Sequence, residues 1–292
     1  MTNVWLVTGS SRGLGRDITL AALAAGHRVV ATARRPEQLA DLKAQYGEQV
    51  RTVALDVTDE AAARAAVAAT VEAFGRLDVV VNNAGYANLG TVEDLPADDF
   101  RAQVETNFFG VVNVTRAALP VLRGQRGGHI VQIASIGGRF GTAGLAAYQA
   151  AKWAVEGFSE SLAQEVAPFG IKVTIVEPGG FRTDWAGASM TIAPVGEDYQ
   201  ATVGARAELV RTHTGTERGD PARGAQAILQ AVAHETPPLR LLLGTDAVYL
   251  AAWIAARRAE EDAAWAELSR STDFPGSVDF RETAVAALVS GS

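Results

Sequence analysis

Two side chains suited to proton transfer, Tyr148 and Lys152, stand four residues apart in a stretch that reads as a helix. Residues at this spacing are neighbours on one helical face. A free tyrosine hydroxyl has a pKa of about 10, which is too high for a base at neutral pH. A neighbouring cation stabilises the tyrosinate and lowers that pKa, so the pair could act as a general acid or base. Many helices share this spacing, so the pair indicates such chemistry only together with other residues.

A glycine-rich turn at residues 8–15, TGSSRGLG, lies between the first predicted strand and the first predicted helix. Glycines at such a junction permit a tight turn and let backbone amides approach a pyrophosphate at the helix N-terminus. The spacing differs from the commoner G-x-G-x-x-G fingerprint, and glycine also serves ordinary turns. The position of the turn between a strand and a helix favours a dinucleotide site.

The end of the second predicted strand bears on the choice between NAD and NADP. An acidic residue about 20 residues beyond the glycine turn is typical of NAD sites, whereas arginine accommodates the 2′-phosphate of NADP. The strand runs into Arg34 and Arg35 without an Asp or Glu, and Arg12 lies in the glycine turn. The guanidinium groups of Arg12 and Arg34 could clamp a 2′-phosphate, although both could equally be surface arginines. The pattern favours NADP over NAD.

The elements that must position these residues are short apolar runs that alternate with helical patterns. This alternation predicts an α/β fold, a doubly wound parallel sheet of the Rossmann type, as a single domain over 1–292. Residues 184–220 are predicted as a mobile substrate lid with some helix, and 245–292 as a C-terminal helical extension. The predicted strands are Val4–Thr8, Arg28–Ala33, Val53–Leu55, Val79–Asn82, His129–Ala134, Lys172–Glu177 and Leu239–Leu243.

Composition argues against several other classes of protein. The net charge of −7 disfavours binding to nucleic acid or an anionic membrane. The chain has no cysteine, which excludes cysteine-ligated zinc and thiolate nucleophiles. The four histidines show no ligand spacing, so no metal site is expected. Without a signal peptide or an apolar stretch that could span a bilayer, a cytoplasmic protein is expected.

Further polar motifs follow the later predicted strands. They are Asn-Asn-Ala-Gly at 82–85, Asn107, Ser135, Tyr-x-x-x-Lys at 148–152, and Pro178-Gly179 with Thr183. Together with the glycine turn, these motifs resemble those of the short-chain dehydrogenase/reductase family, in its compact one-domain branch. They run in the family's order and spacing over residues 1–185, with weaker similarity beyond.

The resemblance implies a complete catalytic set. Tyr148 would be the general acid in carbonyl reduction, or the base in alcohol oxidation. Lys152 would stabilise the tyrosinate and hold the nicotinamide ribose. Ser135 would orient the substrate oxygen, and Asn107 would anchor a water that relays protons. The cofactor would supply the hydride, and the protein would supply position and a proton.

The resemblance also implies a cofactor site. Asp56 would accept a hydrogen bond from the adenine amino group, and Thr183 would hold the nicotinamide carboxamide. The residues expected to contact the cofactor are Gly9, Ser11, Arg12, Gly13, Leu14, Gly15, Arg34, Asp56, Val57, Asn83, Ala84, Gly85, Tyr148, Lys152, Pro178, Gly179 and Thr183.

Apolar side chains near the motifs predict the substrate pocket, although they could equally be ordinary core. None of them pairs with a carboxylate or phosphate, and nearby only Arg139 or Arg182 could do so. We therefore expect a small, largely apolar ketone, aldehyde or secondary alcohol. The expected pocket residues are Phe140, Leu145, Trp185 and Met190, with Asn88 and Leu89 after the Asn-Asn-Ala-Gly turn.

The leading hypothesis is thus an NADP(H)-dependent oxidoreductase that transfers a hydride between nicotinamide and a carbonyl or secondary alcohol carbon. Two alternatives stay open: a non-catalytic, dinucleotide-sensing regulator, motivated by the acidic tail with Trp253 and Trp265, and a redox-neutral epimerase or dehydratase. The resemblance further implies a homodimer or homotetramer built on the helices around 101–122 and 148–167.

Overall fold

Strands and helices alternate along the chain in a computed structural model that describes residues 2–185, 187 and 190–290. The strands are β1 (Val4–Val7), β2 (Arg28–Ala33), β3 (Val50–Ala54), β4 (Val79–Asn82), β5 (Gly128–Ile133), β6 (Ile171–Pro178) and β7 (Arg240–Leu243). The α-helices are α1 (Gly13–Ala24), α2 (Ala40–Tyr46), α3 (Glu60–Phe74), α4 (Ala97–Val104), α5 (Gly110–Gln125), α6 (Ala146–Val166), α7 (Ala205–His213), α8 (Pro221–Ala233), α9 (Thr245–Arg270) and α10 (Ala284–Ser290).

All seven strands form one parallel sheet in the order β3-β2-β1-β4-β5-β6-β7. β2 and β3 lie on one side of β1 and β4 to β7 on the other, so the winding of the sheet reverses between β1 and β4. Ligands of doubly wound sheets bind at such a reversal, beyond the carboxyl ends of the strands. The predicted Rossmann-type parallel sheet is confirmed.

Both faces of the sheet are covered by apolar helix faces. Because strand side chains alternate between faces, neighbouring residues of β1 enter different clusters. Trp5 packs with Ile18 of α1 and Ile228 of α8 on one face. Leu6 packs with Val67 of α3 and other residues of α3, α5 and α6 on the opposite face. The two layers fix the strand ends, and with them the loops that carry the polar motifs.

The third strand begins earlier than predicted. β3 starts at Val50 and ends at Ala54, whereas the apolar pattern suggested Val53–Leu55. Its first residues include the polar Arg51, whose guanidinium lies over the Phe74 ring at 5.8 Å from the centroid. Since β3 is an edge strand that pairs only with β2, polar side chains are tolerated there.

The segment predicted as a lid contains α7 and is anchored to the loop after β4. The backbone amide of Leu89 donates to the carbonyl of Thr191 at 2.8 Å, and Ala193 N donates to Leu89 O at 2.8 Å. The side chains of Val203 and Ala207 are buried. Residues 186, 188 and 189 of the predicted lid lie outside the described residues, as do residues 291 and 292 of the predicted extension.

The chain divides into two compact units, residues 1–251 and 252–292. The first contains the sheet and the helices that cover it. The second contains the later part of α9, a short helical turn at Phe280–Glu282 and α10. Within this unit Trp265 and Leu268 are exposed. No helix within the described part of the chain is both long enough and apolar enough to cross a membrane.

Candidate active site

A cleft of about 1570 Å³ opens at the carboxyl ends of the strands. Residues that follow β1, β2, β3, β4, β5 and β6 all line it, together with residues of α6 and α7. Pockets for one small molecule typically measure roughly 300–1,000 Å³. The cleft therefore has room for an extended ligand and a second, smaller one.

The turns after β1 and β4 are tied together by Thr8 and Asn83. The Thr8 hydroxyl accepts hydrogen bonds from the backbone amides of Asn83 at 2.9 Å and Ala84 at 3.0 Å. The Asn83 side-chain amide donates in return to Thr8 O at 3.0 Å. Thr8 and Asn83 thus connect the glycine turn to the loop after β4, at the point where the winding of the sheet reverses.

Two glycines of this turn are required by its geometry. Gly9 has a φ of 69°, in the left-handed region that other residues rarely adopt. A Cβ at Gly15 would overlap the Asn83 side-chain amide and the Gly9 carbonyl oxygen. The bare backbone thus leaves a cradle at the start of α1, where amides and the helix dipole favour a phosphate group. This cradle fits the diphosphate of a dinucleotide.

Nearly all residues predicted to contact the cofactor line the cleft. The exception is Gly15, which packs behind the turn against Asn83 instead of facing the cleft. The predicted residues that do line it are Gly9, Ser11, Arg12, Gly13, Leu14, Arg34, Asp56, Val57, Asn83, Ala84, Gly85, Tyr148, Lys152, Pro178, Gly179 and Thr183.

Two cations stand at one end of the cleft. Arg12 and Arg34 are exposed and line it, and neither makes an ion pair with a described residue. Asp56, which also lines the cleft, accepts hydrogen bonds from the Thr58 amide at 3.0 Å and hydroxyl at 2.8 Å. Its carboxylate is thereby held in one orientation at the mouth of the site.

Tyr148 and Ser135 meet at the centre of the cleft. Tyr148 lies in the first turn of α6 and is buried, while Ser135 follows β5 directly. The two side chains share a hydrogen bond, and Ser135 Oγ also accepts from the Gly137 amide at 3.0 Å. Burial raises the pKa of Tyr148 to about 12, against the smaller lowering by Ser135. The phenol is therefore a protonated donor at neutral pH.

Lys152 is buried one helical turn beyond Tyr148. Its Nζ donates to the carbonyl of Ile133 at 2.7 Å and lies 5.7 Å from the centroid of the Tyr148 ring. Burial lowers the pKa of Lys152 to about 8, while the negative charge of Glu156 opposes that shift. We expected the lysine to lower the pKa of the tyrosine; in this structure burial raises that pKa instead, and the lysine ammonium is directed to the Ile133 carbonyl.

Asn107 reaches the cleft from a π-helical turn, Glu105–Phe109, inserted between α4 and α5. Such turns are rare and occur often at functional sites. The Asn107 side-chain amide donates to Tyr86 O and Gln103 O, both at 2.8 Å. Its carbonyl oxygen accepts from Tyr86 N at 3.2 Å. One lone pair of that oxygen stays available for a water, since an amide oxygen has two.

A cluster of ion pairs lies beneath the Lys152 side of the site. Glu177, at the end of β6, is fully buried and pairs with Arg139 and Arg240. Arg240 also pairs with Glu156 at 3.2 Å. Burial, together with the charge of Glu177, raises the pKa of Glu156 to about 7. Arg139 is thus engaged by a carboxylate, and so would not be free for a substrate.

The residues predicted for the substrate pocket do not all line the cleft. Trp185 lines the cleft, and its ring lies 5.1 Å from that of Tyr148. Leu145 and Met190 lie in the apolar cluster behind Tyr148 and do not line the cleft. Phe140 belongs neither to that cluster nor to the described lining of the cleft.

Comparison with known proteins identifies the family to which the chain belongs. A family model described as short chain dehydrogenase matches residues 3–191. The chain belongs to the short-chain dehydrogenase family. It is 56% identical over 270 residues to Oxidoreductase BOA17 of Botryotinia fuckeliana, a match that covers 92% of this chain and 98% of the relative.

Two solved structures of this family are similar to the dehydrogenase. A short-chain dehydrogenase from Streptomyces avermitilis superposes with a TM-score of 0.87 at 43% identity, covering 93% of this chain and 98% of that one. A short-chain dehydrogenase from Burkholderia cenocepacia, solved in complex with NADP, gives a TM-score of 0.71 at 26% identity, covering 90% and 97%. The protein is thus an oxidoreductase of this family.

The sequence did not reveal what α7 contributes to the dehydrogenase. Arg206, Leu209 and Val210 of this helix line the cleft. The sequence does contain a pattern that could have drawn attention to Arg206. This arginine stands among apolar residues at helical spacing, in a segment otherwise predicted as a lid. That spacing does not tell which side of the helix faces a ligand.

Replacing Gly15 with alanine should damage both the fold and the cofactor cradle. The new methyl group would overlap Asn83 and the Gly9 carbonyl, and overpacking of this kind costs about 1–3 kcal/mol. Urea unfolding should show this loss, and fluorescence titration should show weaker NADPH binding. The control is Gly124→Ala in α5, where a Cβ meets nothing within 4 Å. Equal stability of the two variants would contradict the proposed packing.

Proposed function

We propose that the protein is an NADP(H)-dependent reductase that transfers a hydride between nicotinamide and the carbonyl or secondary alcohol carbon of its substrate. This proposal rests on one observation: Tyr148 is buried and protonated, and it is hydrogen-bonded to Ser135 in the cleft that the glycine turn also lines. A phenol with a pKa of about 12 is a donor and not a base at neutral pH. In this state the residue can donate a proton to a carbonyl oxygen.

Some residues of the chain would hold the cofactor and the substrate, and Tyr148 would transfer the proton. The cradle at the start of α1 would hold the diphosphate, and Lys152 the nicotinamide ribose. When bound, the cofactor supplies the hydride that the carbonyl carbon accepts. Ser135 would hold the carbonyl oxygen beside Tyr148, whose hydroxyl proton passes to that oxygen, so that the carbonyl becomes an alcohol. The Lys152 ammonium would then stabilise the tyrosinate left behind.

Asn107 supports the return of the proton. A water held on the free lone pair of its side-chain oxygen would connect the site to solvent, so that Tyr148 is reprotonated after each turnover. The hydrogen bonds to Tyr86 and Gln103 fix the amide orientation for this role. Water-mediated hydrogen bonds of this kind are nearly as favourable as direct ones.

Tyr148→Phe should abolish turnover while leaving the fold and cofactor binding intact. The variant loses the donated proton, and positioned general acids contribute about 10²–10⁴-fold in rate. The measurement is NADPH consumption with a panel of ketones and aldehydes, alongside the Kd for NADPH. Tyr249→Phe, at an exposed position in α9, is the matched control.

Retention of a tenth or more of the activity in the Tyr148 variant would contradict the mechanism. The wild-type protein also separates the remaining hypotheses. A redox-neutral epimerase or a dinucleotide-sensing regulator would bind NADPH without consuming it, whereas the reductase consumes it in step with the carbonyl compound.

Arg12 and Arg34 support NADP over NAD as the preferred cofactor. Both guanidinium groups line the cleft without an acidic partner among the described residues. An acid at this position, which would accept hydrogen bonds from the ribose of NAD, is absent from the end of β2.

Arg34→Asp should therefore shift the preference toward NADH. Hydrogen bonds to a charged group contribute about 1.5–3 kcal/mol, so the ratio of kcat/KM for NADPH over NADH should fall about tenfold to a hundredfold. Steady-state kinetics with both cofactors measure this ratio. Arg64→Asp, at an exposed arginine outside the cleft, should leave it unchanged. An unchanged ratio in the Arg34 variant would rule out the assignment.

A further inference from the structure

One cation of the cleft has no counterpart in the catalytic set. Arg206 projects from α7 into the cleft and is half-buried. Its Nε is fully buried without a hydrogen-bond partner among the described residues, and no described carboxylate forms an ion pair with it. Burial lowers its pKa, and no neighbouring charge contributes to the shift.

Two acidic residues near Arg206 in the chain are already engaged. Glu208 pairs with Arg211 on the exposed side of α7. The Glu217 carboxylate accepts a hydrogen bond from the Gly215 amide at 2.8 Å. A buried guanidinium nitrogen that lacks a hydrogen-bond partner is costly unless a ligand supplies one. The structure therefore presents an anion site that no side chain among the described residues fills.

The packing of α7 places this site on the substrate side of the cleft. Val203 and Ala207, on either side of Arg206 in the chain, are buried in one cluster with Tyr148, and Trp185 packs against that cluster. The phosphate cradle is built from the turn after β1 instead. Leu209 and Val210 line the cleft from the same helix and offer apolar contacts.

We infer that Arg206 binds a carboxylate of the substrate, so that the reacting compound is a keto acid in reduction and a hydroxy acid in oxidation. This inference rests on the proposed function, since it takes Tyr148 as the group beside the reacting carbonyl. A guanidinium binds a carboxylate through two parallel N–H···O bonds, which fix orientation as well as affinity. The carbon chain between the two polar ends lies against Trp185 and the apolar side chains of α7.

This substrate class differs from the uncharged, apolar compound that the pocket residues suggested. The two arginines considered for an anion are both engaged: Arg139 by Glu177, and Arg182 Nη2 by the carbonyl of Glu217 at 3.0 Å. Apolar side chains still line the proposed substrate site, but Arg206 adds a positive charge at one end of it. The difference arises because α7 contributes a cation that sequence motifs do not mark.

The test compares acids with their own neutral esters. A panel of keto acids from 2-oxobutanoate to 4-acetylbenzoate, each with its methyl ester, is assayed with NADPH. The wild-type protein should prefer the acids, and Arg206→Gln should lower the acid-to-ester ratio of kcat/KM at least tenfold through a higher KM for the acids. Arg211→Gln, on the same helix but exposed and paired with Glu208, should keep the wild-type ratio.

A second readout does not depend on turnover. Calorimetry measures the Kd of the same acids and esters for the NADPH complex of Tyr148→Phe, with and without Arg206→Gln. If acid binding is lost with Arg206 and the wild-type protein turns over no carbonyl compound, the carboxylate site is supported and the proposed reaction is refuted. Turnover of acids and esters at a ratio unaffected by Arg206→Gln supports the reaction and overturns the carboxylate site.

The cofactor diphosphate is the competing anion. If Arg206 binds it instead, Arg206→Gln raises the Kd of NADPH and lowers kcat/KM equally for acids and esters, and this result overturns the inference. An absence of Arg206-dependent binding for every acid in the panel overturns it as well. The inference requires a Kd for NADPH within about twofold of wild type and a loss confined to the acids.

Discussion

Tyr148 and Lys152 are buried side by side, and most of the site can be understood from the free energy that this burial costs. Removing a phenol and an ammonium group from water disfavours the charged form of each, so their pKa values move in opposite directions. The tyrosine is raised to about 12 and the lysine lowered to about 8. At neutral pH the phenol is therefore protonated, while the amine remains mostly charged.

The fold keeps these groups buried by giving each a hydrogen-bond partner from the same strand end. Ile133 closes β5 and accepts the Lys152 hydrogen bond, and Ser135, two residues later, bonds to Tyr148. Because β5 lies between β4 and β6, its end is fixed on both sides. Gly85, after β4, permits the close approach of Asn107, since a Cβ there would press on its side-chain oxygen. Catalytic geometry thus follows from strand register.

Much of this site could be predicted from the sequence because its residues sit at the ends of strands, where local patterns are informative. Tyr148, Ser135 and the glycine turn belong to segments whose structure depends on near neighbours in the chain. The position of Leu145 behind the tyrosine depends on how the lid segment packs, and no local pattern encodes that packing. The same holds for Arg206, whose exposure to the cleft depends on the buried face of α7.

The ion pairs beneath the site could not be predicted from the sequence either. Glu156 lies one turn beyond Lys152 on α6, so its nearness could have been predicted, but its surroundings could not. Its partner Arg240 comes from β7, and the charge of Glu177, which raises the pKa of Glu156, comes from β6. These contacts exist only once the sheet is assembled. They couple the charge of Lys152 to a network that spans three elements.

The pH dependence of kcat/KM for carbonyl reduction tests most directly whether a protonated Lys152 is required beside Tyr148. The rate should be constant near neutral pH and fall as the pH rises through about 8, where Lys152 loses its proton. Glu156→Gln removes a negative charge that stabilises the ammonium, so the fall should move to lower pH. Glu160→Gln, which alters another partner of Arg240, should leave it in place. A fall at the same or a higher pH in the Glu156 variant would contradict the account.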